Sequence, residues 1–300
     1  MPEPLFSPIR LHFAGLDADQ HHLDAEQFGK SVIGTAKLYN AATHLFYTGS
    51  IPGGRTIYKI RMHTTAELEK GSVCYSIWAA LELGQMAVYP QLWGEIADMF
   101  IPDWVKAVYA KLVHRDNDVI EIYQKHMQIM QEERQKEREH TERITQMAFT
   151  TLLESQSNFT RTIENIADNS RGAARDSVEP IGYSAARIEQ HSQTRIVLQL
   201  DQPVADALRS KEELQVTDST TYFGKIVEAD KTKKSCRVML DGQEKPISAR
   251  INDPVIENTG NIYTHALDQD LRVKIEAKAT VKNDEIKMLY ISNAQEDTSS

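Results

Sequence analysis

The apolar residues near the start of the chain first alternate and then recur at helical spacing. Leu11 and Phe13 alternate with their neighbours, which is typical of a short half-buried strand. Asp24 suits an N-cap position because its carboxylate can accept a hydrogen bond from a backbone N–H of the first helical turn. An apolar series at helical spacing begins at Phe28, and Gly49 is a typical helix stop. The pattern predicts a strand, a loop and a long helix.

Alternation returns after residue 55, and aromatic residues accumulate beyond it. Residues 58–62 and 73–77 alternate on either side of a turn at Gly71, which predicts a β-hairpin. Two helical stretches follow at about 91–100 and 103–115, and Pro102 suits the start of the second one. These elements predict an N-terminal α+β domain over residues 1–115, with a small sheet packed by helices.

A helical pattern covers about residues 117–168 and includes one segment without apolar side chains. Nine of the thirteen residues from 131 to 143 are charged, so this segment predicts a helix surrounded by solvent. The flanking apolar stripe predicts contacts between protomers; the alternative is a helix whose ends pack within their own chain. Residues 116–193 are therefore predicted to form a long connecting helix and a linker. The predicted oligomer interface consists of Ile144, Met147, Leu152, Phe159 and Ile163.

A period of two dominates the last third of the chain. The first alternating segment contains Ile196, Leu198 and Leu200, and the last contains Ile286 and Met288. Turn residues separate the segments at 231–234, 241–242 and 283–284. Five or six short strands over residues 194–292 predict a small β-barrel of the OB or SH3 kind, and residues 293–300 are predicted to be a disordered tail. The predicted fold class of the whole chain is α+β.

Basic residues occupy the outward phase of the predicted barrel strands. This arrangement predicts a nucleic-acid-binding stripe, and the alternative is an ordinary solvated exterior. The chain as a whole carries a net charge of −9, which argues against broad, nonspecific affinity for nucleic acid. The candidate nucleic-acid-binding residues are Arg237, Arg250, Arg272, Lys274 and Lys278.

The cysteines, the first residues and the lengths of the apolar runs argue against a disulfide-bonded, secreted or membrane-spanning protein. Cys74 and Cys236 fall in alternating apolar segments, so both are predicted to be buried and reduced. The first residues lack a basic segment followed by an apolar core, and no apolar run approaches the length of a membrane span. We therefore expect a cytoplasmic protein without a membrane span.

Two motifs were considered for chemistry and neither predicts a catalytic, metal or cofactor site. Residues 49–56 resemble a phosphate-binding loop, but they follow a helix and lead into a strand, which is the reverse of the required order. Asp17, Asp19, His21, His22 and Asp24 could hold a divalent cation as a group. Metal sites draw their ligands from several elements, however, and Asp24 already suits a capping role, so a solvated loop is predicted.

Three short segments carry a resemblance to a bacterial family of uncharacterised proteins, often found in mobile or variable regions of genomes. Residues 11–15 with Leu23 and Asp24 form the first segment, residues 179–184 the second, and residues 223–226 with Asp241 and Gly242 the third. The resemblance implies an N-terminal α+β domain and a C-terminal five-stranded barrel, with no activity to transfer. The genomic setting makes a role in defence against phage, or in conflict between mobile elements, conceivable.

The leading hypothesis from the sequence is a non-enzymatic interaction protein that acts as a sensor, adaptor or scaffold. Two modules held apart by a solvated helix would form a homo-oligomer and bind a protein partner. The first alternative is a nucleic-acid-binding protein that uses the exterior of the barrel. The second alternative is a hydrolase with a dispersed, metal-dependent site that uses the cluster of Asp17 to His22.

Overall fold

The computed structural model describes residues 4–49, 60–69, 72–81, 92–136, 153–193, 195–210, 214–243, 245–282 and 285–297. Contacts divide the chain into two compact units, Met1–Leu208 and Arg209–Ser300. The first unit is α+β and the second is a β-barrel, as the sequence predicts. Among the described helices, none is long and apolar enough to cross a membrane.

The first unit is built on a five-stranded antiparallel sheet. Its strands are β1 (Ile9–Ala14), β2 (Ile60–Glu69), β3 (Ser72–Leu81), β4 (Arg187–Ser192) and β5 (Arg195–Leu200), in the order β2-β3-β1-β4-β5. The predicted hairpin is confirmed, since β2 pairs with β3 from Ile60 opposite Leu81 to Glu69 opposite Ser72. The sheet joins strands from the two ends of the unit, because β1 lies between β3 and β4.

Within the described residues, four long helices accompany this sheet: α1 (Ala25–Thr48), α2 (Leu92–Leu112), α3 (Asp116–Lys136) and α4 (Gln156–Ser177). The predicted limits of α1 are confirmed, since the Asp24 carboxylate accepts from the Gln27 N–H at 2.9 Å and Gly49 ends the helix with a φ of 66°. Phe13 of β1 contacts Phe28 of α1, with ring centroids 5.8 Å apart. The apolar face of the sheet is therefore covered by helices.

Two helix predictions are wrong. Pro102 lies inside α2 and does not separate two helices. The predicted single helix over 117–168 is broken, because Ser155 adopts an extended backbone and caps α4 by accepting from the Asn158 N–H at 3.2 Å. Helix α4 then continues to Ser177, past the predicted end of the helical pattern at about residue 168, and packs against α1 and α2. The solvated helical segment was predicted for residues 131–143, and residues 137–143 of it lie outside the described residues.

The predicted start of the barrel at residue 194 is also wrong. Strand β5 pairs with β4 in the first sheet, and a short helix, α5 (Gln202–Arg209), follows it. The alternation of Ile196, Leu198 and Leu200 identifies a strand but not its sheet, since partner choice depends on contacts distant in sequence. The residues from 187 to 192, predicted to be a linker, form β4.

The second unit is a closed five-stranded barrel. Its strands β7 (Thr220–Asp230), β8 (Ser235–Leu240), β9 (Ile247–Ile251), β10 (Arg272–Lys282) and β11 (Glu285–Glu296) run in the order β11-β9-β8-β7-β10, and pairing between β10 and β11 closes the ring. A two-residue strand, β6 (Gln215–Val216), pairs with one end of β10. Helix α6 (Ile262–Asp268) lies between β9 and β10, as in OB-type barrels. The barrel class predicted from the alternation is confirmed.

The interior of the barrel uses the predicted phase on most strands but not on β11. Val238, Ala249 and Ile275 have the predicted inward phase and are buried in one core cluster. On β11 the cluster contains Leu289, which is in the phase opposite to the predicted Ile286 and Met288, because the pairing of β10 and β11 shifts register between Thr280 and Val281. Tyr263 of α6 is fully buried, and its hydroxyl donates to Asp253 at 2.9 Å. The prediction of a disordered tail is wrong for residues 293–297, because β11 continues to Glu296 and the Asp297 N–H donates to the Arg272 carbonyl at 3.0 Å.

Both cysteines are buried and free, as predicted. Cys74 lies on β3 and Cys236 on β8, in different units. Burial raises the pKa of the Cys236 thiol to about 12, so this thiol stays protonated at neutral pH.

Candidate functional site

Strand β5 lies at one edge of the five-stranded sheet and borders a groove. In the described part of the chain, β4 is its only sheet neighbour, so one edge of its backbone is open to pairing. Ile196 is 54% exposed on this strand although it is a large apolar side chain. A groove of about 230 Å³ runs between β5, the end of α2 and the start of α3. An open edge beside an apolar groove is an arrangement that can receive an extended segment of another chain.

The walls of the groove are apolar and its rim is charged. Its apolar lining residues are Ala110 on α2, Val113 in the turn after α2, Ile196, Val197, Leu198 and Leu200 on β5, and Val204 on α5. Lys106, Arg115 and Asp118 also line it, and Arg115 pairs with Asp118 at 3.1 Å. The rim therefore carries two basic side chains and one acidic side chain, so it favours an acidic group on a ligand.

A buried polar network holds α2, α3 and β5 together next to this groove. The Trp104 indole N–H donates to His126 Nδ1 at 3.1 Å, and His126 Nε2 lies 3.3 Å from the Asp103 carboxylate. Because an indole can only donate, His126 Nδ1 is the acceptor, and Nε2 carries the proton that it donates to Asp103. The carboxylate also pairs with Lys125, and with Arg195 of β5 at 3.7 Å.

The protonation states in this network follow from burial and from these contacts. Burial lowers the pKa of His126 and outweighs the opposing effect of Asp103, so the ring is neutral. Burial alone would raise the pKa of Asp103, but hydrogen bonds from His126 and Lys125 lower it below the usual value. The network thus contains a carboxylate anion that holds the first residue of β5 against α2.

A second polar group lies on the sheet face opposite to the one that the described helices cover. His12 of β1 stands directly opposite Glu189 of β4, and His191 lies two residues along the same face. His12 Nδ1 and His191 Nε2 lie 3.4 Å and 3.3 Å from the same oxygen, Glu189 Oε2. Arg187 Nε donates to the other oxygen at 2.8 Å.

The electrostatics of this group favour a carboxylate anion. Partial burial would raise the pKa of Glu189, but Arg187 above all, and then the two histidines, lower it below the usual value. His12, Glu189 and His191 each offer one ligand atom, and these atoms all lie within 4.8 Å of one another. We refer to these three residues as the sheet-face triad.

Comparison with known proteins gives a family for most of the chain. The profile of a domain of unknown function (DUF7946) matches residues 9–209, which closely follow the first unit. The chain belongs to this family. A second profile, of a family of unknown function (DUF7947), matches residues 218–295 in the barrel. No curated protein matches the chain.

The two profiles fit the resemblance to an uncharacterised family, and they also support the corrected boundary between the units. The DUF7946 match ends at residue 209, after β5 and α5, so both elements belong to that domain. The DUF7947 match begins at residue 218, just before β7, the first strand of the closed barrel.

The predicted oligomer interface is wrong for two of its residues. Phe159 and Ile163 are buried within the DUF7946 domain, and the Phe159 ring lies 5.7 Å from that of Tyr123 and 6.5 Å from that of Trp104. Their apolar stripe therefore packs within its own chain, which is the alternative that the pattern left open. Ile144, Met147 and Leu152 lie outside the described residues.

The predicted basic stripe is divided between two places on the DUF7947 barrel. Arg237 on β8 and Arg250 on β9 are exposed on neighbouring strands, and the register aligns Arg250 with Tyr290 and Tyr290 with Lys278. Arg272 and Lys274 lie nearer the start of β10, across from β7. The guanidinium of Arg272 pairs with Asp241 and Asp297 and lies 5.0 Å from the centroid of the Phe223 ring.

The predicted solvated loop from Asp17 to Asp24 is partly wrong, since Leu16–Gln20 forms a short 3₁₀ helix in which Ala18 is buried, whereas the predicted capping role of Asp24 is confirmed. Asp19 accepts from the Gly15 N–H at 2.6 Å, and Asp24 caps α1. Within the described residues, the histidines and carboxylates that converge for a metal are those of the sheet-face triad.

The sequence analysis missed the sheet-face triad because β4 gives only a weak apolar pattern. Its inward residues are Ile188, Gln190 and Ser192, and two of these three are polar. Gln190 is buried because its side-chain oxygen accepts from the Tyr39 hydroxyl at 2.8 Å. The signal that was present is the alternation of charged and imidazole side chains at 187, 189 and 191.

Proposed function

We propose that this chain is a non-enzymatic interaction protein that binds an extended segment of a partner protein along β5. The observation that carries the proposal is the open edge of β5, with an exposed Ile196, beside an apolar groove. An added strand would gain backbone hydrogen bonds from the edge, and its side chains would supply specificity.

The groove defines the chemistry of the segment that would bind. A volume of about 230 Å³ accommodates one or two apolar side chains, which would pack against Val113, Leu198 and Val204. Lys106, Arg115 and Asp118 at the rim have a net charge of one positive unit, since Arg115 pairs with Asp118, and this charge favours an acidic residue next to that side chain. We therefore propose an extended segment in which an apolar residue is flanked by Asp or Glu.

Replacement of Ile196 by Glu should weaken the binding of such peptides at least about tenfold, because an apolar contact of roughly 1.5 kcal/mol or more is lost. The probes are peptides selected from a random library displayed on phage against the full chain, and their affinities are measured by fluorescence anisotropy. Ile33→Glu is the matched control, since Ile33 is an isoleucine of the same domain with 55% exposure. It should change the affinity less than twofold.

Equal affinity of the selected peptides for the wild type and for Ile196→Glu would contradict the proposal. The same variant also tests a homo-oligomer. If the wild type self-associates in light scattering and Ile196→Glu is monomeric, the occupant of β5 is a second copy, and the proposal of a different partner protein is wrong. A role in defence against phage or in mobile-element conflict stays a prediction that rests on the family resemblance.

Nucleic-acid binding by the barrel is the second candidate function. It is supported by the position of Arg237 and Arg250 on the second and third barrel strands, since these strands form the binding face of many OB-type barrels. The turn that precedes β8 adds Lys231, Lys233 and Lys234, of which Lys234 pairs with Glu257 at 2.6 Å.

The paired variant Arg237→Glu and Arg250→Glu should weaken the binding of a single-stranded oligonucleotide at least about tenfold and flatten its salt dependence. Lys274→Glu, on the separate part of β10, is the control and should have a much smaller effect. Anisotropy titrations at two salt concentrations measure both. Binding that is unchanged in the paired variant would exclude this face.

A further inference from the structure

We propose that the sheet-face triad of His12, Glu189 and His191 binds a divalent transition-metal ion of the zinc class. The proposal is independent of the role of β5, because the triad lies on β1 and β4 and its side chains are on the face opposite to the one that the described helices cover.

The spacing of the ligand atoms fits a metal better than it fits direct hydrogen bonds. A tetrahedral ion with bonds of about 2.0–2.1 Å places its ligand atoms about 3.3–3.4 Å apart. The two N···O separations in the triad are 3.4 Å and 3.3 Å. Charge-assisted hydrogen bonds between these groups would be shorter, at about 2.7–2.9 Å. The two imidazole rings are almost perpendicular, at 87°, with centroids 6.1 Å apart, and one nitrogen of each lies within 3.4 Å of the shared oxygen.

Neighbouring groups hold the triad in place. Arg187 binds Glu189 Oε1 at 2.8 Å, which leaves Oε2 facing the histidines. This is the kind of outer contact that orients a metal-binding carboxylate. The strand register fixes His12 and Glu189 opposite each other, and the Glu189 side chain is only 13% exposed while each histidine is 28% exposed. An ion could therefore enter from solvent and meet ligands whose backbones are already fixed.

The donor set selects the class of ion. Two imidazoles and one carboxylate suit zinc, iron, nickel and copper, whereas magnesium and calcium prefer oxygen ligands throughout. Three protein ligands also leave at least one coordination position for water or for another ligand.

The test is a titration of the chelator-treated full chain with Zn²⁺, followed by elemental analysis after dialysis. The wild type should retain one equivalent, and Co²⁺ in its place should give visible absorption bands of a low-coordinate site. Glu189→Gln and His191→Gln should each weaken the zinc Kd at least about 100-fold, and Arg187→Ala about tenfold. Circular dichroism of every variant confirms that the protein is folded.

His22→Gln is the matched control, since His22 belongs to the rival loop of Asp17 to Asp24 and should leave the zinc Kd unchanged. No stoichiometric zinc in the folded wild type would overturn the proposal. Retention of one tight equivalent in both Glu189→Gln and His191→Gln would also overturn it, as would its loss in His22→Gln alone.

Discussion

Replacement of Gly34 by Ala should destabilise the DUF7946 domain by about 3 kcal/mol, because a β-carbon at this position has no room. Gly34 lies where α1 crosses α4, and its added Cβ would stand 2.6 Å from the Ser177 nitrogen and closer still to the Ala173 carbonyl. Both of these are backbone atoms, so the helices would have to move apart. The higher helix propensity of Ala offsets only about 1 kcal/mol of this cost.

Gly29→Ala is the matched control on the same helix. Nothing lies within 4 Å of a Cβ added at Gly29, so this variant should be stabilised by up to about 1 kcal/mol. All three tryptophans of the chain, Trp78, Trp93 and Trp104, belong to the first unit, so urea unfolding followed by their fluorescence reports on that unit. Equal stability of the two variants would contradict the packing of α4 on α1. It would fit a helix α4 that projects freely from the domain.

Replacement of Asp103 by Ala should destabilise the same domain by about 3 kcal/mol, since it leaves the buried Nε2 proton of His126 without an acceptor and removes the counter-charge of the half-exposed Lys125 and Arg195. The Asp103 side chain is only 7% exposed and contacts His126, Lys125 and Arg195. His126 would lose the acceptor of its Nε2 proton inside the core. Breaking a buried ion pair typically lowers the free energy of unfolding by about 3–5 kcal/mol. We expect the lower end of this range because the Lys125 side chain is 43% exposed and can be solvated by water instead.

Asp168→Ala is the control for this second prediction. Its carboxylate pairs with Arg171 at 3.7 Å on the surface, where such pairs contribute little. Its stability should stay within about 0.5 kcal/mol of the wild type in the same tryptophan-detected unfolding. A loss for Asp103→Ala as small as that of Asp168→Ala would contradict the buried network.

Elements that are specified by residues close together in the sequence, such as helix α1 and the barrel strands, could be predicted from the sequence. Asp24 and Gly49 mark the limits of α1 because capping depends on residues within one turn. Strands β8 and β9 alternate cleanly because one side of each faces a single apolar core and the other faces outward. The stripe of Phe159 and Ile163 correctly indicates an amphipathic helix.

What covers each surface could not be predicted, because it depends on contacts between distant parts of the chain. The stripe of Phe159 and Ile163 is compatible with a second protomer or with its own domain, and the structure shows the latter. The triad joins His12 to Glu189, which are 177 positions apart in the sequence. Glu189 lies on β4, a strand that is hard to recognise from its sequence because one of its inward residues is the polar Gln190. Strand β5 has a clear pattern, but its place at the edge of the first sheet follows only from its pairing with β4.

The most direct test of the central claim is amide hydrogen exchange of the full chain with and without a selected peptide. Strand addition at β5 predicts slower exchange at alternate residues of 195–200, because alternate N–H groups of an edge strand point outward. Strand β2, at the opposite edge of the same sheet, should exchange at an unchanged rate. Protection on β2, or on β8 and β9 of the barrel, with none on β5 would contradict the account.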